Sequence, residues 1–508
     1  MIFPLSHPVL TCAESGCFEE KLLGGDENGI LAAMKKAGQG VGLGILQDFQ
    51  EIKPFPQNAK VLVLSGKGHN GGDALIAAHT ILRQHPQVVV EVMFVFGKDD
   101  LKHLVQKAFD ELNQAGKVTV LENVLCDTSY DVCIDGALGM AFHLPLKTAF
   151  VALLEKINQH PNILLRAAVD LPSGLGDESA NIAFRADFTY ATGIAKKPVF
   201  EEKNKQFVGR IRYLDIGFFQ NSQPESEQNI LLPGVLDKLR RLRDPQSYKR
   251  TYGHLFIVAG SRRMPGALLM AVKAAVHSGV GLVTVIAPDS VARNCAPHVP
   301  EAMWLPCPET SDGWFSVEGK AIILKTLSSA SAVLIGPGIG REDETKQLFA
   351  QLVRDIKCPI VIDADALMPE IIDALAGGQL GIITPHLGEF NRIRQTADEA
   401  YSFEKLASYS KNNPLVTVLK GSITKVAYQG KVYLSPFGGP VLARGGSGDI
   451  LSGLCGGLLA QQPSEALNAA CQAVVLHGSA ADAMARERGQ TGISTTEIIP
   501  YLSKILHG

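Results

Sequence analysis

The residues most suited to chemistry form a glycine run that ends in an acid, Gly445-Gly446-Ser447-Gly448-Asp449, directly ahead of the apolar residues 450–454. Successive glycines let backbone N–H groups turn toward one point. The helix predicted to start there adds partial positive charge, so the segment predicts an anion hole. Because an acid fits poorly in an anion hole, we predict that Asp449 is a base facing a substrate hydroxyl beside a phosphate. The alternative is a glycine turn followed by a helix-capping aspartate.

Length and composition predict a soluble enzyme of two to four domains. The chain has 508 residues, a hydrophobic content of 46% and a net charge of −3, which argues against a broad nucleic-acid surface. Its nine cysteines form no C-x-x-C pair, so neither a zinc site nor a disulfide framework is indicated, and a reducing cytoplasm fits. Neither a signal peptide nor an apolar run long enough to span a membrane is found.

Two series of apolar, strand-like runs alternate with amphipathic stretches, a pattern typical of parallel sheets in α/β proteins. Between them, residues 220–228 are polar and contain a proline, as in a linker, and residues 236–242 predict a short basic helix. We expect two α/β domains. The first series comprises residues 61–64, 88–96, 132–134 and 164–169, and the second 255–258, 282–286, 332–335, 360–362, 380–383 and 416–419.

The strand ends of the first half carry a glycine loop and several acids. The loop from Ser65 to Asp73 follows a strand and precedes a predicted helix at Ala74, where a glycine loop can approach a phosphate or a ribose closely. Tight-turn packing explains such a loop equally well. Asp170 and Ser173 place a carboxylate and a hydroxyl in one turn, suited to proton transfer or to a hard cation. Asp215 has no such companion and is predicted to be structural.

The second half repeats this arrangement with different residues. Strand exits carry the turns Gly336–Gly340 and Asp363-Ala364-Asp365, then His386 with Glu389, and then Lys420-Gly421. Taken alone, a histidine such as His386 is more often a turn residue. Together with the glycine run before Asp449, these exits predict a site for phosphoryl transfer from ATP or ADP to a small hydroxyl.

From about residue 14 to residue 499, the chain resembles the bifunctional NAD(P)H-hydrate repair enzymes. The resemblance rests on motifs in family order, which are the loop His69–Asp73, Asp135-Gly136, the Val-Asp-Leu-Pro-Ser-Gly stretch around Asp170, Ala186–Ala191 before Lys196-Lys197-Pro198, Tyr252-Gly253-His254, Ala259-Gly260-Ser261, Asp363-Ala364-Asp365, Thr-Pro-His-x-Gly-Glu at His386, Lys420-Gly421 and Gly445–Asp449.

The resemblance implies that the first domain is a Rossmann-like, three-layer α/β/α epimerase that interconverts the R and S hydrates of NADH and NADPH. It implies a potassium ion held by Asn70, Asp135 and Ser173, with Asp170 as our candidate acid/base. The implied hydrate-binding residues are His69, Asn70, Gly71, Gly72, Asp73, Gly139, Met140, Ala141, Phe142, His143, Leu144, Pro145 and Asp170.

The second domain resembles the ribokinase-like α/β fold. The resemblance implies an ADP- or ATP-dependent dehydratase that uses magnesium, phosphorylates the C6 hydroxyl of the S hydrate and then eliminates phosphate, with Asp449 as the base. The implied nucleotide-binding residues are Lys420, Gly421, Ser422, Ile423, Thr424 and Gly448, and the implied hydrate-binding residues are Ala267, Gly338, His386 and Asp449.

The predicted boundaries are 1–220 for the epimerase domain, 221–235 for a linker and 236–508 for the dehydratase domain. We expect a cytoplasmic homo-oligomer whose ligands are the hydrates NADHX and NADPHX and the nucleotides ADP and ATP, with no nucleic-acid or membrane partner. The chain departs from the family motifs at His69, Ala74, Met140 and Ala141. The alternatives are a small-molecule kinase of ribokinase-like fold and a first half that binds a nicotinamide nucleotide without turnover.

Overall fold

A computed structural model describes residues 3–124, 127–375, 378–397 and 401–507. The chain divides into two units. The first takes His7–Ser226 and Ala485–Gln490, and the second takes most of the chain from Glu227 onward. No helix in the described ranges is long and apolar enough to cross a membrane.

The first unit is built on a parallel sheet with strand order β4-β3-β2-β5-β6-β7-β9, and β1 pairs in parallel with β8. Its strands are β1 (Ser6–Leu10), β2 (Lys60–Ser65), β3 (Val89–Phe94), β4 (Lys117–Val120), β5 (Tyr130–Gly136), β6 (Ile163–Val169), β7 (Phe188–Thr192), β8 (Ala195–Lys196) and β9 (Arg210–Leu214). Its helices are α1 (Cys12–Leu23), α2 (Glu27–Phe49), α3 (His69–Gln84), α4 (His103–Ala115), α5 (Thr148–Asn158) and α6 (Lys205–Val208).

Helices cover both faces of this sheet, so the predicted three-layer α/β/α architecture is confirmed. On one face, Val61 and Val63 of β2 pack with Ile81 of α3 and Phe109 of α4. On the other face, the alternate strand residues Leu62 and Leu64 lie in one core with side chains of α5. A strand buried on both faces carries a continuous apolar run, which is why residues 61–64 could be recognised as a strand.

The second unit has the strand order β13-β12-β11-β14-β15-β16-β17-β18-β19-β10. Pairs from β13 to β17 are parallel, β17–β18 and β18–β19 are antiparallel, and β19–β10 is parallel. The strands are β10 (Gln228–Leu231), β11 (His254–Val258), β12 (Leu282–Pro288), β13 (Met303–Cys307), β14 (Ala332–Ile335), β15 (Ile360–Ile362), β16 (Gly381–Ile383), β17 (Val416–Leu419), β18 (Thr424–Tyr428) and β19 (Lys431–Ser435).

Helices also cover both faces of the second sheet. Phe256 and Val333 share a core with Leu348 and Leu352 of α10, whereas Gly456 of α14 lies against Leu255 and Leu334 on the opposite face. The helices are α7 (Pro265–His277), α8 (Asp289–Cys295), α9 (Lys320–Leu327), α10 (Asp343–Asp355), α11 (Pro369–Ile372), α12 (Leu387–Arg394), α13 (Phe403–Asn412), α14 (Ser447–Gln461), α15 (Ala466–Arg488) and α16 (Ile499–His507).

Three local predictions differ from the structure. The helix expected at Ala74 begins at His69, because the glycine loop itself supplies the first turn of α3. The segment 221–235, predicted to be a linker, contains β10, which pairs with β19 and buries Ile230 and Leu231. The prediction of a basic helix at residues 236–242 is wrong, because a 3₁₀ turn ends at Leu236 and non-helical turns follow.

Candidate active sites

A cavity of about 620 Å³ opens in the first unit, at the carboxyl ends of β2, β5 and β6. Ligands of parallel sheets bind at this edge. Of the predicted hydrate-binding residues, the cavity is lined by His69, Asn70, Gly71, Asp73, Gly139, Met140, Ala141, Phe142 and Asp170. Among the described residues, four predicted ones do not line the cavity: Gly72, His143, Leu144 and Pro145. Gly72 faces Met34 and Val105 instead, and the other three are exposed.

Glycine in the loop after β2 permits close backbone packing. A Cβ atom on Gly71 would collide with the carbonyl of Gly66, and one on Gly66 would collide with the carbonyl of Ala137. Ala74, which departs from the family motif, is fully buried against Gly136 and does not appear among the described cavity-lining residues. Of the four departures, His69, Met140 and Ala141 therefore bear on the cavity directly.

Asp170 lines this cavity and is paired with a buried lysine. Lys196 Nζ donates a hydrogen bond to Asp170 Oδ1 at 2.6 Å, and the amide and hydroxyl of Thr192 lie 3.3 Å from the same oxygen. The backbone of Asp170 has φ 64°, a left-handed conformation that is strained for a residue other than glycine and is often found at functional sites. Glu19 Oε1 lies 3.9 Å from Lys196 Nζ.

The charges around Lys196 favour its protonated form. Burial lowers the pKa of Lys196, but Asp170 and Glu19 outweigh burial, and the net shift is upward. Lys196 is therefore a stable cation beside Asp170 in the cavity. Sequence reasoning missed this role, although Lys196-Lys197-Pro198 was part of the resemblance. It also missed the cavity-lining residues Glu19, Lys67, Lys102, Lys147 and Thr192.

The three predicted potassium ligands converge beside this cavity. Ser173 donates to Asp135 from its amide at 2.8 Å and from its hydroxyl at 2.7 Å, and the Asn70 amide donates to the carbonyl of Leu138 at 2.8 Å. Asp135 is fully buried, and burial raises its pKa to about 6. Within the described ranges no lysine or arginine forms an ion pair with Asp135. A buried carboxylate next to amide, hydroxyl and carbonyl oxygens fits a hard cation.

The candidate site of the second unit brings together a base, a cation and two further acids. Lys420 Nζ lies 3.1 Å from Asp363 Oδ1 and 3.6 Å from Glu389 Oε2. Asp449 is in the first turn of α14, which begins at Ser447 inside the glycine run. Burial and then the neighbouring charge of Asp363 raise the pKa of Asp449 to about 7, with Lys420 acting in the opposite direction. A carboxyl with a pKa near 7 is suited to accept a proton at neutral pH.

Two predicted hydrate-binding positions are in contact in the second unit. A Cβ atom on Gly338 would lie 3.2 Å from the Cβ of Ala267 and 2.7 Å from the carbonyl oxygen of Met264. The φ of Gly338 is 67°. Ala267 and Gly338 therefore lie side by side in the second unit.

His386 caps helix α12. Its Nδ1 accepts hydrogen bonds from the amides of Gly388 and Glu389, while Glu389 Oε2 accepts from the His386 amide. His386 therefore has the structural role of a turn residue, which is the alternative interpretation of this histidine. Its ring remains exposed, with Nε2 at 3.4 Å from Glu389 Oε1, and an isolated backbone β-bridge pairs His386 with Lys420.

The predicted nucleotide-binding residues lie around Lys420. A Cβ atom on Gly448 would be 3.2 Å from Lys420 Nζ, so glycine lets the amine approach the start of α14. Gly421 and Ser422 are exposed, and Ile423 and Thr424 are half-buried where β18 begins. The described residues contain no group of three or more His, Cys, Asp or Glu side chains placed to hold a metal ion. Magnesium usually reaches such sites on nucleotide phosphates, with one or two carboxylates.

Gly446 has a backbone conformation that favours glycine. It has φ 87°, and a Cβ atom there would collide with the side chain of Met270. We expect Gly446→Ala to destabilise the second unit by about 1–3 kcal/mol in denaturant unfolding, because strain and overlap add. Gly445→Ala is the matched control, since nothing lies within 4 Å of its Cβ position. Equal stabilities of the two variants would contradict this account.

Two α/β units, each with a polar site at the ends of its parallel strands, define an enzyme with two catalytic domains. Two family models match in tandem, one described as YjeF-related protein N-terminus over residues 31–198 and one as NAD(P)H-hydrate dehydratase over residues 255–504. The bifunctional NAD(P)H-hydrate repair enzyme of Moorella thermoacetica is 30% identical and covers 88% of both chains. That of Thermosynechococcus vestitus is 31% identical and covers 98% of this chain and 97% of its own. The chain belongs to the family of bifunctional NAD(P)H-hydrate repair enzymes.

Among solved structures, the ADP/ATP-dependent NAD(P)H-hydrate dehydratase from Bacillus subtilis co-crystallized with ATP and Mg²⁺ is 29% identical. It covers 54% of this chain and 96% of its own, with a TM-score of 0.46.

Proposed function

We propose that this chain repairs hydrated NADH and NADPH, epimerising their R and S hydrates in the first unit and dehydrating the S hydrate in the second with ADP or ATP. One observation carries this proposal. Relatives named as bifunctional repair enzymes align across 88–98% of the chain, so both units lie within the match, and each unit has its own site.

In the second unit, Asp449 accepts the proton of the C6 hydroxyl as the hydroxyl oxygen attacks the terminal phosphoryl group. Backbone N–H groups at the start of α14 hold the phosphates, and Lys420 offsets their charge. Phosphate then leaves C6 with the bonding electron pair and C5 gives up a proton to water, so that the C5–C6 double bond of the reduced nicotinamide forms. Magnesium, bound through the nucleotide, would neutralise phosphate charge during transfer.

In the first unit, Asp170 exchanges a proton with the hydrate while its hydrogen bond from Lys196 keeps the carboxyl oriented. Lys67, Lys102 and Lys147 line the same cavity and supply positive charge for the pyrophosphate of the dinucleotide. A potassium ion held by Asn70, Asp135 and Ser173 would fix the turn that carries Asp170. The precise domain boundaries, the nucleotide-binding residues and homo-oligomer formation remain predictions, as does a cytoplasmic location.

The direct test is recovery of reduced nicotinamide absorbance from the S hydrate with magnesium and either ADP or ATP. Recovery with one nucleotide or both supports the dehydratase. A small-molecule kinase that only phosphorylates its substrate would consume nucleotide without restoring the absorbance, and that outcome would favour the alternative.

Potassium dependence separates the two activities. Replacing potassium by choline is expected to slow R-to-S interconversion and leave dehydration of the S hydrate unchanged, because the oxygen cluster lies in the first unit. Asp135→Asn should weaken the response of interconversion to added potassium. Equal interconversion rates in potassium and in choline would argue against the ion.

A further inference from the structure

Asp73 is a buried acid whose hydrogen bonding is incomplete. It lies in the second turn of α3, is 9% exposed and lines the cavity of the first unit. Its Oδ1 atom is buried and has no hydrogen-bond partner in the described part of the chain. Buried polar atoms nearly always have a partner. An unpartnered carboxyl oxygen at the wall of a cavity is therefore a place where a ligand supplies the missing contact.

The charges that face Asp73 come from three other elements. Asp170 follows β6, Glu19 is in α1, and Lys196 is in β8. Burial raises the pKa of Asp73 well above its ordinary value, and Asp170 and Glu19 raise it further, while Lys196 acts against them. Because the cluster has three carboxyl groups and one lysine, ionising all three carboxyl groups at once is unfavourable. A proton on Asp73 relieves this repulsion and leaves Asp170 paired with Lys196.

We infer that Asp73 is a second catalytic residue of the epimerase, the acid that protonates the departing C6 hydroxyl while Asp170 is the base that accepts a proton from the incoming water. This inference rests on the function proposed for the first unit. It assigns separate proton-transfer roles to two carboxyls that line one cavity, and the two roles exchange when the reaction runs in the opposite direction. Asp170 is the carboxyl that pairs with Lys196, and the unpartnered Oδ1 makes Asp73 the group free to reach a ligand.

The reaction balances without any added reagent. Asp73 gives its proton to the C6 hydroxyl, the C–O bond breaks with its electron pair on oxygen, and one water leaves. The N1 lone pair forms a double bond to C6. A water molecule then adds to the opposite face, electrons return to N1, and Asp170 accepts the proton released. One water leaves and one enters, and the proton on Asp170 returns to Asp73 through the cavity or the solvent.

The test uses the full chain and follows interconversion of the two hydrates without nucleotide, so that the second unit stays idle. Asp73→Asn keeps the size of the side chain but carries no transferable proton. We expect kcat for interconversion to fall by about 10²–10⁴-fold, with KM for the hydrates little changed. Wild-type activity should decline as pH rises and Asp73 loses its proton, and the residual activity of the variant should lack this decline.

Asp110→Asn is the matched control, since Asp110 is an exposed acid on α4 that interacts with Gln106. Its rate should equal the wild-type rate. In water enriched in ¹⁸O, each inversion by the wild-type chain should place one solvent oxygen at C6. Asp73→Glu, which retains an acid, should recover part of the rate and of its decline with pH, and it also covers the case in which the asparagine variant does not fold.

The wild-type and variant rates of interconversion distinguish a wrong role for Asp73 from a wrong function for the first unit. A wild-type chain that does not interconvert the hydrates overturns both. A wild-type chain that interconverts them, beside an asparagine variant with unchanged kcat, overturns the role of Asp73 alone. A variant with raised KM and normal kcat would make Asp73 a binding residue, and inversion without solvent oxygen would overturn the C–O cleavage.

Discussion

Dehydration of the S hydrate is expected to fall by about 10²–10⁴-fold in Asp449→Asn, because asparagine keeps the size of the side chain but cannot accept the hydroxyl proton. Nucleotide affinity should change little, since we propose that the phosphates are held by backbone N–H groups at the start of α14 and by Lys420. Single-turnover assays with the S hydrate, together with nucleotide titration, measure the two effects separately.

The pH dependence follows from the direction of the Asp449 shift. Burial raises the pKa of Asp449 to about 7, and the base acts only when it is deprotonated. The dehydration rate should therefore rise as pH increases toward 7 and level off above it. The residual rate of Asp449→Asn should lack this rise. Asp355→Asn, at the exposed end of α10, is the matched control. Near-normal turnover in Asp449→Asn would remove the base from the mechanism.

Replacing Lys196 by methionine is expected to abolish measurable epimerisation and to destabilise the first unit by about 3–5 kcal/mol. The change leaves Asp170 and Glu19 without the cation that both face, and an unpaired buried charge is costly. Denaturant unfolding measures the stability loss, and interconversion of the hydrates measures the activity. Lys197→Met is the matched control, because Lys197 is partly exposed and lies 3.9 Å from Glu14.

A double variant separates stability from catalysis. Asp170→Asn combined with Lys196→Met removes both charges of the pair, so most of the lost stability should return while epimerisation stays absent. Recovery of epimerisation in the double variant would show that neither residue takes part in proton transfer. A Lys196→Met chain as stable as wild type would show that the ion pair contributes little to folding.

The parallel strands could be predicted because a strand buried on both faces requires a continuous apolar run, as in residues 61–64 and 332–335. Both main acids could be predicted for a related reason. Asp170 follows such a run, and Asp449 follows a glycine run that stands directly ahead of an apolar helix start. Strand ends of a parallel sheet meet at one edge, so sequence order alone places Asp135 near Asp170.

Lys196 could not be assigned a role from the sequence, because its partner Asp170 lies 26 residues earlier and its strand β8 has only two residues. No periodicity marks so short an element. The fold brings Asp363 and Glu389 to Lys420 in the same way, across 57 and 31 positions of the chain. The acid at Asp73 was predicted to bind the hydrate, but its missing hydrogen bond is visible only in three dimensions.

The central claim, that two sites on one chain act in turn on one metabolite, is tested most directly by a mixed pool of R and S hydrates. Reduced nicotinamide is followed over time with nucleotide, magnesium and potassium, for the wild-type chain and for Asp170→Asn. We predict that the wild-type chain converts the whole pool, whereas Asp170→Asn converts the S fraction promptly and the R fraction only at its spontaneous epimerisation rate. Conversion of the R fraction at the wild-type rate by Asp170→Asn would contradict the account.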